Sequence, residues 1–141
     1  MQIQPYLFFD GRCEEAVKYY QSALGAEVDL LMRYRDSPDP LPPEMADSAK
    51  ADQVMHATLR IGGAVVMASD DCSGQASRFE GFSLSLGVPD DATAERMFSA
   101  LADGGQVVMP LGPTFWSPRF GMVTDRFGVH WMVSRDGTGR C

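Results

Sequence analysis

A chain of 141 residues, 45% hydrophobic and 22% charged, matches one globular domain with a core of its own, neither disordered nor fibrous. Its net charge of −7, with the twelve Lys and Arg scattered, disfavours DNA, RNA and anionic lipid, which all need a positive surface. The apolar runs are too short for a membrane-spanning helix, and MQIQPYLFFDG lacks the basic start and long apolar stretch of a signal peptide, so a cytoplasmic protein is expected.

IQPYLFF (Ile3–Phe9) reads as a strand ended by Asp10-Gly11. A helix over about Arg12 to Leu24 follows, with Cys13, Val17, Tyr20 and Leu24 on one apolar stripe and Gly25 as its left-handed stop. Glu14, Glu15 and Lys18 are expected to face water. AEVDLLMRY (Ala26–Tyr34) reads as a strand, and the proline-rich Asp36–Asp52 as a surface loop. VMHATLRI (Val54–Ile61) and AVVMAS (Ala64–Ser69) form a hairpin across Gly62-Gly63.

The same order then recurs. FSLSLGV (Phe82–Val88) is a strand, and Ala92–Ala102 a helix presenting Ala94, Met97, Phe98 and Leu101 before Gly104-Gly105. QVVMP (Gln106–Pro110) is the next strand. A loop leads to GMVT (Gly121–Thr124) and VHWMVS (Val129–Ser134). TLRIGGAVVMAS (Thr58–Ser69) lies over TDRFGVHWMVS (Thr124–Ser134) with one gap, placing Met67 on Met132. Strand–helix–strand–strand–strand, twice, is what an internal duplication predicts.

Two such modules, about 1–70 and about 80–135 of a single domain over residues 1–141, resemble the vicinal oxygen chelate superfamily, which includes glyoxalase I, fosfomycin-resistance and bleomycin-binding proteins. Ala16-Val17-Lys18-Tyr19-Tyr20 with Ala23-Leu24-Gly25 resembles its helix, and PYLFFDGRCEEAVKYY, MHATLRIGG and DRFGVHW look like the PhnB-like branch, sometimes labelled 3-demethylubiquinone-9 3-methyltransferase. The resemblance implies an α+β fold of two βαβββ modules forming paired half-barrels, the glyoxalase/bleomycin resistance/dihydroxybiphenyl dioxygenase fold. It also implies a metal held in enzymatic members by His, Gln or Glu on the first and last strands of each module.

Those last-strand positions hold Met67 and Met132, whose thioethers are poor ligands for Zn²⁺, Ni²⁺, Mn²⁺ or Fe²⁺. The first-strand positions fall at Gln4 and Ser83, or at Pro5 and Phe82 with a one-residue slip. The expectation is therefore a lost metal site and no cofactor. Because side chains two apart share a strand face, His130, Met132 and Ser134 point together, opposite Val129, Trp131 and Val133. His56, Thr58 and Arg60 form a similar polar row.

His130, Met132, Met67, Gln4 and His56 are the candidate ligand-binding residues, with Trp116 and Phe120 from the loop Pro110–Gly121, an aromatic segment able to close over a planar ligand. Purely structural roles compete: core filling for the methionines, capping for Trp116, plain hydrogen bonding for the histidines. The pairs Glu14-Glu15 and Asp70-Asp71 read as solvated charge.

Of the three cysteines, Cys13 is expected buried and Cys72 and Cys141 incidental, all reduced. The lone Asp10-Gly11 turn gives no glycine-rich seat for a methyl donor, and no GxSxG supports a nucleophile. The expected function is binding of a small, partly apolar molecule by a homodimer, without nucleic acid or membrane. The alternative is a metal-dependent lyase, isomerase or dioxygenase with misregistered ligands.

Overall fold

The computed structural model of the chain describes residues 1–41, 43, 48–71 and 77–135, so the readings of Cys72 and Cys141 lie outside the described residues. Contacts divide it into two units, Met1–Ser77 and Arg78–Cys141.

In the first unit, β1 (Tyr6–Phe9) leads to α1 (Cys13–Leu24), β2 (Glu27–Arg33), β3 (Val54–Ile61) and β4 (Ala64–Asp70). The sheet order is β1-β4-β3-β2, with β1 parallel to β4 and the other pairs antiparallel. The ladder reaches back to Pro5, whose carbonyl accepts the Met67 N–H at 3.0 Å. Ile3 and Gln4 lie before the strand. The expected loop between β2 and β3 contains a 3₁₀ turn (Tyr34–Asp36) and one helical turn, α2 (Ser48–Ala51).

The second unit repeats the plan: β5 (Leu84–Val88), α3 (Asp91–Ala102), β6 (Gln106–Gly112), β7 (Phe120–Thr124) and β8 (His130–Arg135), in sheet order β5-β8-β7-β6. β6 runs two residues beyond the expected QVVMP; as an edge strand with a register shift between Met109 and Gly112, it accommodates Pro110, which has no N–H to donate. Phe120, expected in a loop, begins β7 and is buried.

One face of each sheet is closed by its helix. In the first unit α1 covers β2, β3 and β4, burying Leu7, Phe9, Ala57, Leu59, Val66 and Ala68 against Cys13, Val17, Tyr20 and Leu24. In the second, α3 lies on β5, β6, β7 and β8 over Val123, Val129, Trp131 and Val133. Such burial is worth roughly 1.5–3 kcal/mol per large apolar side chain. Gly121 is required where Phe98 crosses β7, because a Cβ there would lie 2.6 Å from the Phe98 ring.

The helix starts are built differently. α3 is capped locally, the Asp90 carboxylate accepting the Thr93 N–H at 2.7 Å. Arg12, at the same point of α1, makes no side-chain cap. Asp70, at the end of β4, serves instead: it accepts the Cys13 N–H and the Val54 N–H, both at 2.9 Å. The reading of Asp70 as solvated is therefore wrong; it is 2% exposed, two backbone N–H groups converge on its carboxylate, and the Tyr34 hydroxyl donates to its backbone carbonyl at 2.9 Å. Glu14 too is engaged, bonded to Arg33 at 2.8 Å and 3.0 Å.

The ladders define the internal repeat. Met67 stands between Tyr6 on β1 and Thr58 on β3; Met132 stands between Ser85 on β5 and Met122 on β7. Met67 and Met132 are thus equivalent, as the letters suggest. The letters mislead on the preceding strand: Thr58 matches Met122, two residues before Thr124. A shift of two keeps the face, and the second hairpin turn is the longer one.

Candidate functional site

In each unit the strand candidates lie on the sheet face opposite the helix, where they are mostly half-buried. His56, Thr58, Arg60 and Met67 belong to the first unit's face, together with Tyr6 and Phe8, since Leu7 and Phe9 point to the helix. His130, Met132 and Ser134 share the second unit's face, opposite the buried Trp131 and Val133.

On the first face, polar groups are linked in a chain. The Tyr6 hydroxyl lies 3.1 Å from His56 Nδ1, and His56 Nε2 lies 3.1 Å from Thr58 Oγ1. β1 and β3 flank β4, so the Tyr6 side chain spans one strand to reach its partner. The Tyr6 and Phe8 ring centres are 4.8 Å apart. Arg60 continues the polar row but turns to Asp29 and Glu27, each at 3.0 Å. Its hydrogen bonds and charge hold the Asp29 carboxyl below the usual range. Gln4, outside the strand, donates to the Gln2 side chain at 3.2 Å.

On the second face, Met109, Met122 and Met132 are cross-strand neighbours on β6, β7 and β8, three thioethers in one row beside Ser85. His130 Nδ1 lies 2.8 Å from Thr124 Oγ1, directly across the ladder. Such methionines offer a polarisable surface that adapts to apolar ligands. Met109, Met122, Thr124 and Tyr6 escaped sequence reading as site residues; the signal available was their alternation with Val123 and Leu7.

The aromatic segment is divided. Phe120 is buried, while Trp116 is 54% and Phe115 96% exposed; the three rings stack edge-on at centre distances of 4.7 Å and 5.2 Å. The turn beneath them is tied down by Ser117, whose hydroxyl lies 2.7 Å from the Arg119 carbonyl and 2.8 Å from that of Arg135. So Trp116 is held on an anchored turn.

A divalent cation bound as the resemblance implies would need hard or borderline donors at the first- and last-strand positions. Those positions present the thioethers of Met67 and Met132, the Ser83 hydroxyl and a Gln4 amide directed to Gln2. These residues do not fit such a cation. Among the described residues no group of three or more His, Cys, Asp or Glu is gathered in ligating range. Nor is any helix among them long and apolar enough to cross a membrane.

Comparison with known proteins places this geometry. The family model described as 3-demethylubiquinone-9 3-methyltransferase matches residues 1–134. The chain is 36% identical over 143 residues to protein YjdN of Escherichia coli (strain K12), covering 95% of each. The crystal structure of protein PA1353 from Pseudomonas aeruginosa is similar at 47% identity, with a TM-score of 0.84 over 96% of this chain and 98% of that one. A PhnB protein from Bacillus cereus is similar at 28% identity, TM-score 0.77, over 96% and 99% of the chains. A glyoxylase/bleomycin resistance protein/dioxygenase domain from Frankia, at 12% identity and TM-score 0.69 over 99% and 95%, shares the fold alone.

Proposed function

The chain belongs to the PhnB-like family described as 3-demethylubiquinone-9 3-methyltransferase, within the glyoxalase superfamily, and from that membership we propose that it is a small-molecule binding protein that works without a metal. The observation that carries the reading is the register-equivalent pair Met67 and Met132. They stand next to Tyr6 and Ser85, where a metal enzyme of this fold needs carboxylate or imidazole. Half-buried thioethers beside histidine and hydroxyl groups suit a partly apolar ligand with a polar end.

In this reading Met67 and His56 on one face, and Met132 and His130 on the other, contact ligand. Trp116 supplies an exposed aromatic surface, and the buried Phe120 supports it. Gln4 has the weakest support of the candidates, since it lies before β1 and its side-chain N–H donates to Gln2.

Methyl transfer has no support in the backbone. β1 passes to α1 through Asp10-Gly11, and the next strand, β2, lies at the opposite edge of the sheet, so no glycine-rich turn lies between adjacent parallel strands.

Elemental analysis after purification without chelator, followed by melting with added Zn²⁺, Mn²⁺ or Ni²⁺, tests the reading. Sub-stoichiometric metal and an unmoved midpoint are expected in the wild type and in Gln4→Ala and His130→Ala. Tight stoichiometric metal in the wild type overturns it. A homodimer belongs to the same proposal, supported by the exposed apolar edge strand β6 with Val107, Val108 and Met109. A monomer on sizing at micromolar concentration would reject that part.

A further inference from the structure

We propose that Tyr6 is the anchoring hydrogen-bond donor for the oxygen of a planar, conjugated ligand, with His56 and Thr58 setting its polarity. This role rests on the small-molecule reading above and names the ligand chemistry that the first unit's face would select.

The argument begins with proton counting. His56 bridges two hydroxyls, Nδ1 to Tyr6 at 3.1 Å and Nε2 to Thr58 at 3.1 Å. A neutral imidazole has one N–H and one lone pair, so the chain must run in one direction. In one sense Tyr6 donates to Nδ1 and the Nε2 proton goes to Thr58, leaving the phenol oxygen with lone pairs only. In the other, Thr58 donates to Nε2, the Nδ1 proton goes to the Tyr6 oxygen, and the phenol O–H is released outward. An oxygen acceptor at Tyr6 selects the second sense. All three bonds then point along Thr58, His56, Tyr6 and ligand, each polarising the next. A ligand without an accepting oxygen gains none of this.

Planarity follows from what surrounds the hydroxyl. The Phe8 ring, 54% exposed, lies 4.8 Å from the Tyr6 ring, and the Met67 thioether belongs to the residue paired with Tyr6. The His56 ring centre stands 5.6 Å from that of Tyr6. Exposed ring, thioether and donor together favour a flat π-system that stacks on the first two and hydrogen-bonds the third.

The probes are 4-nitrophenolate and nitrobenzene, which share the weakly accepting nitro group and differ by the strongly accepting phenolate oxygen. The wild type is expected to bind 4-nitrophenolate more tightly and to shift its visible absorbance on binding. Tyr6→Phe keeps the ring and removes the donor. It should weaken 4-nitrophenolate by about ten- to a hundredfold, the range for a hydrogen bond to a charged acceptor, and move nitrobenzene less than about twofold. Thr58→Val should weaken 4-nitrophenolate by a smaller factor. On binding, the ¹⁵N spectrum of His56 should show the Nδ1–H tautomer.

Nitrobenzene bound as tightly as 4-nitrophenolate by the wild type overturns the inference and leaves the small-molecule reading standing. Equal 4-nitrophenolate affinity in Tyr6→Phe, or an Nε2–H tautomer in the complex, overturns it as well. Binding of neither probe by a folded wild type overturns it together with the surface assignment to Met67 and His56. The helical circular dichroism of each variant is recorded to confirm folding.

Discussion

Asp70 and Cys13 lie 57 residues apart in sequence, yet the Asp70 carboxylate closes the start of α1, taking the Cys13 N–H at 2.9 Å and the Val54 N–H at 2.9 Å. Helix, hairpin and the last strand of the unit are thereby tied at one buried anion. Asp70→Ala leaves two buried donors unsatisfied, each worth about 1–3 kcal/mol, so a loss of about 2–6 kcal/mol is expected in urea unfolding. Asp70→Asn keeps one acceptor oxygen and should lose about half of that. Asp90→Ala, removing the local and exposed cap of α3, should cost about 1 kcal/mol. Asp90→Ala proving as damaging as Asp70→Ala would contradict this account of the two helix starts.

Strand alternation made the faces legible: Val129, Trp131 and Val133 are buried and His130 and Met132 are not, because a half-buried strand has period two. The α1 stripe was legible for the equivalent reason at period 3.6. Asp70 was not, since a cap supplied from another element leaves no local spacing, and a charged pair at a strand end reads as solvated. The Thr58–Thr124 overlay fails because the two hairpin turns differ in length, while the helix-facing residues alternate in both, so a shift of two goes unpunished. Met109 and Met122 lie in segments that read as strands, QVVMP and GMVT, but their place in one row with Met132 depends on the cross-strand register, which spacing along the chain does not give.

Cys13 should be chemically silent while the protein is folded. Burial first, then the charges of Asp70 and Glu14, push its thiol from 9.0 up to about 12. Three pH units cut the thiolate fraction near neutrality by about a thousandfold, and burial removes access as well. In a Cys72→Ser/Cys141→Ser background, Ellman's reagent is expected to leave Cys13 untouched until urea is added. Prompt stoichiometric labelling of the native protein would refute the assignment.

Asp125 organises the second hairpin turn as Asp70 organises the first unit. Its Oδ1 accepts the Phe127 N–H at 2.8 Å and the Val129 N–H at 3.1 Å, and its Oδ2 accepts Trp131 Nε1–H at 2.8 Å. Asp125, Val129 and Trp131 are buried, at the start of the strand that carries His130 and Met132, while Phe127 is half-buried. Asp125→Ala should cost about 2–4 kcal/mol by leaving those donors unpaired. Trp131→Phe removes one donor and its need together, so it should cost less than Asp125→Ala in the same urea series. The reverse ranking would mean that Trp131 packing, and not the carboxylate, holds the turn.

The Glu14–Arg33 pair should appear in the acid limb of the stability curve. The Arg33 hydrogen bonds at 2.8 Å and 3.0 Å, with its charge and that of Lys18, lower the Glu14 carboxyl below its ordinary 4.5. A lowered folded-state pKa contributes stability that is complete above 4.5 and is lost as pH falls through the folded value, where the native carboxylate finally takes up its proton. The pair is partly exposed, 30% and 40% by side chain, so solvent screening holds its worth to about 1 kcal/mol or less. Glu14→Gln should therefore be slightly less stable than wild type near neutrality. The two urea curves should converge as pH drops below 4.5. Added salt should narrow the neutral gap in the same direction. A gap that persists unchanged into strong acid would assign the cost of Glu14→Gln to packing on α1, and the ion pair with Arg33 would then contribute nothing.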